Sequence, residues 1–355
     1  MLDLAHGDPY EVPPIDLVAL LTQWRLEPVA LLLLATAVVA YALPARALRR
    51  RGDHWSYWRS ASYLGGGCGS IAVATLSPLA AYDTTLLSVH MAQHMVLTMV
   101  APVFLALGAP VTLWLRTLPP RPRDRLLAVL HSRVARVVSF PPVAFAIFVL
   151  SPWALYFSGW YEATLQPDAQ GQVLHELTHL HFVLAGSIFC WPLIGLDPVP
   201  GRVSHGFRVL TIFASLPFHA FLGVSIMGAS TLIAGDYYLG LERSWPPSVP
   251  ADQELAGALL WASGDLVGLL LFAALFVQWV RASQREAVRE DRRLDRLEEG
   301  ERRRAVAGGP GSGSGGSGTR LPSTPRQLRE AGWLRPPGSS QLSAIRGTGT
   351  PAGVR

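Results

Sequence analysis

The sequence contains no lysine, only two cysteines and few charged residues. Of its 355 residues 15% are charged and half are hydrophobic, whereas soluble domains carry about a quarter charged residues. This deficit excludes a soluble enzyme of ordinary composition. Two cysteines also exclude a disulfide framework and a zinc ribbon, and we interpret Cys68 and Cys190 as buried thiols. The N-terminus lacks the basic region of a signal peptide, so we expect no cleavage there.

The charges that are present are unevenly distributed. All 30 basic residues are arginines, and 15 of them lie from Arg281 onward together with 8 acidic residues. Residues 1–280 hold 15 arginines against 17 acidic residues, a net charge of −2. We expect a nearly neutral apolar body with a basic tail that faces anionic lipid, and we expect no nucleic-acid partner.

Seven stretches are long and apolar enough to cross a membrane, since about 20 residues span about 30 Å of hydrocarbon. They are residues 26–43, 60–79, 86–115, 138–157, 173–195, 209–234 and 254–280. The second contains the glycine-rich run GGGCGS, and glycine allows close approach between membrane helices. The sequence therefore predicts an all-α, polytopic bundle of seven transmembrane helices.

The positions of the loop arginines predict the orientation of the bundle, because cytoplasmic loops are enriched in arginine. One side of the membrane receives thirteen of them: Arg46, Arg49, Arg50, Arg51, Arg59, Arg116, Arg121, Arg123, Arg125, Arg133, Arg136, Arg202 and Arg208. The other side receives only Arg25 and Arg243. We therefore expect the N-terminus outside and the C-terminus in the cytoplasm.

Four segments are predicted along the chain. Residues 1–25 form an outer segment with a short interfacial helix, and residues 26–280 form the membrane domain. Residues 281–304 mix both charge signs and indicate a solvated cytoplasmic helix. Residues 305–355 are rich in glycine, serine, proline and arginine, a composition typical of disorder.

The third apolar stretch opens with SVHMAQHMVLTM. His90 and His94 are one helical turn apart and share a face, and Met91, Met95 and Met99 form an adjacent stripe with the same spacing. Imidazole and thioether ligands together suit a soft ion such as Cu(I). Polar groups within the membrane are costly and usually functional, which favours a metal site over a methionine-rich core.

The fifth stretch opens with HELTHLH, in which His175 and His179 are again one turn apart. The predicted orientation brings both histidine pairs to the outer leaflet at similar depth. Four imidazoles at one level would suffice for a tetrahedral or trigonal metal site. We therefore predict that His90, His94, His175 and His179 hold one ion, with Met91 and Met95 as further ligands.

Two other interpretations of these histidines remain. His175, Glu176 and His179 match the zinc metalloprotease signature HExxH, but a third ligand is needed, and Asp197 is predicted at the opposite membrane face. Haem is the second alternative, because one histidine from each pair could provide the axial ligands.

Further polar residues lie within or beside the predicted helices. Asp83 precedes the third helix as an N-cap or as support for the metal ligands, a supporting role also predicted for Met99. Asp252 and Gln253 open the seventh helix on the predicted outer side. His219 and Asp265 lie near the middle of the bilayer, where they could pair with each other.

Several of these segments together resemble the CtaG family of caa(3)-type cytochrome c oxidase assembly factors, which is distinct from the single-span copper chaperone of the same name. The resemblance covers residues 60–280 through HMAQHMVLTMVAPVFLALGAP, HELTHLHFVLAGSIFCWPLIGLDP, LPFHAFLGVSIM and DQELAGALLWASGDLVGLLLF. It implies a multi-pass protein of the bacterial plasma membrane that is needed to make the haem–copper oxidase. The family's paired histidines correspond to the four named above, and its DQ-x-x-AG motif corresponds to Asp252, Gln253, Ala256 and Gly257.

From the residues and the resemblance together we expect a non-enzymatic assembly factor. It would bind Cu(I) at the His/Met site and deliver it to a cytochrome c oxidase subunit by ligand exchange. A haem-handling protein and a copper transporter are the alternatives.

Overall fold

A computed structural model describes residues 12–198 and 204–307 of the chain, and every regular element in these residues is a helix. The all-helical prediction is therefore confirmed. The predicted disordered tail lies outside the described residues, apart from its first three positions, which continue the last helix to Ala307. The first eleven residues of the predicted outer segment also lie outside them.

Within the described residues, the first half of the chain forms ten helices and two π-helical stretches, Ser62–Cys68 and Val96–Val100. The helices are α1 (Leu17–Thr22), α2 (Pro28–Arg50), α3 (Tyr57–Ala61), α4 (Gly69–Leu76), α5 (Pro78–Tyr82), α6 (Leu87–Met95), α7 (Ala101–Leu107), α8 (Pro110–Thr117), α9 (Pro120–Leu130) and α10 (Arg133–Val138).

Within the described residues, the second half contains six helices, four of which have at least 16 residues. They are α11 (Pro141–Tyr156), α12 (Trp160–Thr164), α13 (Ala169–Ile194), α14 (His205–Met227), α15 (Gly235–Gly240) and α16 (Val249–Ala307). The seventh predicted span and the predicted charged helix are therefore parts of one continuous helix, α16.

In the part of the chain that the structure describes, six helical segments are long and apolar enough to cross a membrane, so the chain is a multi-pass membrane protein. They are Pro28–Arg50, Tyr57–Tyr82, Leu87–Thr117, Ala169–Ile194, His205–Met227 and Val249–Arg304. The remaining predicted span corresponds to α11, whose 16 residues extend about 24 Å at 1.5 Å per residue. That length is shorter than the hydrocarbon layer of about 30 Å, so the seventh crossing stays a prediction. The orientation of the termini stays a prediction as well.

The glycines of the second span allow two membrane helices to pack closely, as expected. A Cβ added to Gly66 would lie 2.5 Å from the Phe104 ring, and one added to Gly67 would lie 2.6 Å from Leu105. Gly186 of α13 is more constrained, since a Cβ there would lie 2.0 Å from the Thr98 carbonyl oxygen. Small residues at these positions hold α13 and the second span against the helix that carries His90 and His94.

The chain divides into two compact units, residues 1–276 and residues 277–355. The main hydrophobic core lies in the first unit and includes Met91, Met95, Phe148, Phe189 and Ile226. The described part of the second unit is helical, and exposed ion pairs on it join Arg293 to Glu290 and Arg303 to Glu299.

Candidate metal centre

A residue from another helix caps the N-terminus of α6. Leu86, at the N-cap position, makes no side-chain hydrogen bond to the helix. Instead the Asp252 carboxylate of α16 accepts hydrogen bonds from the Leu87 amide at 2.7 Å, the Ser88 amide at 3.4 Å and the Ser88 hydroxyl at 2.5 Å. Asp252 thus accepts hydrogen bonds from the first amides of α6, which have no acceptor within that helix. It thereby positions the helix that carries His90 and His94.

Gln253, the neighbour of Asp252, fixes the loop after α14. Its Oε1 accepts a hydrogen bond from the Ile233 amide at 2.8 Å, and its Nε2 donates to the carbonyls of Ile226 and Thr231. In these hydrogen bonds, the predicted supporting residues Asp252 and Gln253 contact backbone groups and the Ser88 hydroxyl. None of the bonds involves an imidazole.

The helix α13 brings His175 and His179 to a buried carboxylate. Asp168 caps this helix by accepting a hydrogen bond from the Gly171 amide at 2.7 Å. His175 Nε2 lies 3.0 Å from Asp83 Oδ2, and His179 Nε2 lies 3.7 Å from the same oxygen. Among the described residues, these three side chains form the one group of histidine, cysteine and acidic ligand atoms within 4.8 Å of each other.

Gln93 completes this buried group. It is fully buried, and its Nε2 donates to Asp83 Oδ2 at 3.1 Å and to the Ala74 carbonyl at 3.0 Å. His179 Nε2 lies 3.0 Å from Gln93 Oε1. The amide therefore joins the carboxylate to the second histidine, and its oxygen lies beside the candidate ligand atoms.

Asp83 has a different role from the N-cap considered for it. It lies at the C-cap position of α5, and its carboxylate contacts His175 and Gln93. Burial alone would raise the pKa of Asp83, but the charge and hydrogen bond of His175 and the charge of His179 outweigh it and lower that pKa below its ordinary value. The N-cap interpretation was wrong, and Asp83 presents a carboxylate to both imidazoles.

His90 and His94 lie in a separate group around a phenol. The Tyr156 hydroxyl is 3.1 Å from His90 Nε2 and 3.1 Å from His94 Nδ1. The Phe182 ring packs against His94 at a centroid distance of 4.2 Å. Among the described residues, His90 and His94 are not part of the group of ligand atoms around Asp83, so the geometry does not bring the four imidazoles into one coordination group.

The methionine stripe is part of the hydrophobic core. Met91, Met95 and Met99 are each at most 4% exposed and pack in the main core cluster. The role of these methionines as copper ligands therefore stays a prediction.

The suggested pair of His219 and Asp265 is not formed. Asp265 accepts a hydrogen bond from Trp261 Nε1 at 2.9 Å, one turn earlier on the same helix. His219 packs against the Phe148 ring at 5.1 Å, and among the described residues its Nε2 has no hydrogen-bond partner. The Asp265 carboxylate, suggested as a partner of His219, is instead hydrogen-bonded to the Trp261 indole.

Asp197 caps a helix to which it does not belong. Its carboxylate accepts hydrogen bonds from the amides of Val111 and Thr112 and from Trp191 Nε1. These contacts satisfy the N-terminus of α8.

Two residues of these groups, Gln93 and Tyr156, were missed from the sequence. Gln93 lies between the two histidines of HMAQH, and a polar side chain inside a membrane helix was a usable signal. Tyr156 ends a strongly apolar helix, and its sequence offered no comparable indication.

Known proteins provide an independent comparison. A sequence model described as "Cytochrome c oxidase caa3 assembly factor" matches residues 39–282, which is more than half of the chain. The chain belongs to this caa3 assembly factor family. The matched range includes Asp83, Gln93, His175 and His179.

Three similar proteins are described only as uncharacterized. Uncharacterized proteins of Mycobacterium bovis and Mycobacterium tuberculosis are each 37% identical over 294 residues, which cover 81% of this chain. One of Mycobacterium leprae is 38% identical over 297 residues. The chain spans less than half of these relatives' length, since the matches cover 44% of each. No solved structure matches the chain.

Proposed function

We propose that the protein is a non-enzymatic assembly factor of caa3-type cytochrome c oxidase that holds a copper ion for delivery to an oxidase subunit. Its membership of the caa3 assembly factor family supports the role. The observation that carries the copper assignment is the buried group of Asp83, His175 and His179, whose ligand atoms lie within 4.8 Å of one another. In an apolar environment, a carboxylate and two imidazoles together stabilise a cation that any one of them would bind weakly.

The donors favour divalent copper over the Cu(I) expected from the histidine and methionine pattern. Carboxylate and imidazole ligands suit Cu(II), whereas thioethers select Cu(I). Gln93 Oε1, 3.0 Å from His179 Nε2, is available as a fourth ligand. Release would then follow when groups of the recipient replace Gln93 and one imidazole, so that the ion is never fully exposed to water.

Copper titration of the purified full-length chain tests this proposal. We expect the wild-type chain to bind Cu(II) with an electron paramagnetic resonance signal from nitrogen ligands, and His175→Ala to lose that signal. His181→Ala is the matched control, because His181 lies on the same helix outside the buried group. Equal copper binding by all three proteins would refute the assignment.

A metal-dependent hydrolase is the second candidate, and Asp83 is the observation that favours it. The sequence HExxH lacked a third ligand, and the Asp83 carboxylate lies close enough to His175 and His179 to supply one. Glu176 would then accept a proton from metal-bound water and pass it to the leaving amine of a cleaved peptide. Glu176→Gln separates the two functions: a hydrolase would keep its metal and lose oxidase maturation, whereas a copper carrier would retain both.

A further inference from the structure

Three arginines gather where the ends of three membrane segments meet. Arg49 lies in the last turn of α2, Arg59 lies in α3, and Arg116 lies in the last turn of α8. Each of these helices belongs to a segment able to cross a membrane. A hydrogen bond of 3.3 Å from Arg116 Nη1 to the His54 carbonyl joins the end of α8 to the loop between α2 and α3. The three segments therefore end at the same face of the membrane.

A buried tryptophan in that loop holds the arginines together. The guanidinium carbon of Arg59 lies 5.1 Å from the centre of the Trp55 ring, and that of Arg116 lies 5.9 Å from it. Arg49 donates hydrogen bonds from Nε to the Trp55 carbonyl at 3.5 Å and from Nη2 to the Ser60 hydroxyl at 2.7 Å. The indole attracts the cations through its ring, so three positive charges are kept around one buried side chain.

No carboxylate balances this charge. A guanidinium group stays protonated in proteins and has five N–H donors. Among the described residues, neither Arg49, Arg59 nor Arg116 forms an ion pair, and the Arg59 guanidinium donates no hydrogen bond. Asp53 is the one acidic residue at positions 46–59, and its exposed carboxylate is not paired with these arginines. Cations that packing holds together with unused donors form a site for an anion.

The arginines lie at the level of the lipid head groups. Tyr57 and Trp58, which begin α3, are 77% and 71% exposed, and such aromatic side chains are enriched where a membrane meets water. Deeper along α2 the exposed side chains are apolar, such as Leu43, about 9 Å before Arg49 along the helix. A phospholipid beside these helices would therefore present its head group to the arginines and its acyl chains to apolar side chains.

We propose that Arg49, Arg59 and Arg116 bind the phosphate head group of an anionic phospholipid. Phosphate oxygens accept paired, charge-assisted hydrogen bonds from guanidinium groups, and basic pockets between membrane helices bind anionic head groups. A choline lipid fits less well, because its ammonium group adds a positive charge to the three already present. The bound phosphate reduces the repulsion among the arginines and thereby stabilises the ends of α2, α3 and α8.

Native mass spectrometry of the detergent-purified full-length chain tests this proposal. The probes are phosphatidylglycerol and phosphatidylcholine with the same acyl chains, and we expect the first to bind about tenfold more tightly. Arg59→Gln and Arg116→Gln should each weaken binding of phosphatidylglycerol about fivefold, which corresponds to about 1 kcal/mol for each arginine near a lipid surface. Arg125→Gln is the matched control, because Arg125 is exposed on α9 outside this cluster, and it should bind like the wild type.

Thermal unfolding of the same samples shows that the variants are folded. Arg59→Gln removes no hydrogen bond of the described residues, so we expect it to unfold at the wild-type temperature. Equal binding of the two lipids, or undiminished phosphatidylglycerol binding by Arg59→Gln, would overturn the proposal. Inorganic phosphate distinguishes a lipid site from a site for the free ion. It should fail to displace the lipid, and displacement by a small excess of phosphate would contradict the assignment to a phospholipid.

Discussion

Replacing Asp83 by asparagine tests the centre of the metal site. The carboxylate is 3% exposed and accepts hydrogen bonds from His175 at 3.0 Å and from Gln93 at 3.1 Å. Asparagine keeps the volume but has one acceptor oxygen and a donating NH₂ group. His175 and Gln93 both contact Oδ2 of Asp83, so an asparagine oxygen at that place keeps both acceptor contacts, whereas the negative charge is lost.

The expected magnitudes follow from these contacts. A hydrogen bond to a charged group contributes about 1.5–3 kcal/mol and a neutral one about 0.5–1.5 kcal/mol, so loss of the charge should lower the free energy of unfolding by about 1–3 kcal/mol. The loss of copper-binding free energy should be larger than the loss of folding stability, because Asp83 is the anionic ligand of the group. Residues that only support metal ligands already contribute 10- to 100-fold in affinity, so we expect a loss of about 100-fold or more, which corresponds to about 2.8 kcal/mol.

Competition titration with a chelator of known copper affinity provides the assay, together with thermal unfolding of the same detergent-purified samples. Asp124→Asn is the matched control, since Asp124 is exposed on α9. Wild-type copper affinity in Asp83→Asn would refute the argument. A lower unfolding temperature with unchanged copper affinity would leave Asp83 a purely structural residue.

Three further predictions concern the other groups. Tyr156→Phe removes the hydroxyl that both imidazoles of α6 contact, so thermal unfolding should show a loss of about 1–3 kcal/mol while the copper affinity of the Asp83 group stays unchanged. Asp252→Ala uncovers the first amides of α6 and should lower the free energy of unfolding by about 1–3 kcal/mol, whereas Asp252→Asn should restore part of it. Single cysteines at Arg123 and Gln166, in a chain without its native cysteines, should react with impermeant maleimide from opposite sides of the membrane, and reaction from one side would contradict the predicted orientation.

The sequence alone established the class of the protein and the positions of its helices. Each of the seven apolar stretches contains a helix, because a segment that enters hydrocarbon must satisfy its backbone groups within itself. The sixth stretch was predicted too long, since α14 ends at Met227 and residues 228–234 are not helical. The same local rule placed His90 with His94 and His175 with His179 on common faces, since helical periodicity depends only on spacing along the chain. The family resemblance followed from these segments in their order and is confirmed.

Tertiary packing decided what each of those faces contacts. Asp83 was ambiguous between a cap and a metal-site residue until α13 brought His175 to 3.0 Å from it, and Gln93 acquired its role through its contacts with Asp83 and His179. The two histidine pairs have different neighbours, since His90 and His94 contact Tyr156, whereas His175 and His179 lie beside Asp83. Spacing along one helix determines which residues share a face. Which helix packs against that face depends on close contacts between helices, such as the contact of Gly186 with Thr98. These contacts join residues far apart in the sequence, so they leave no periodic signal in it.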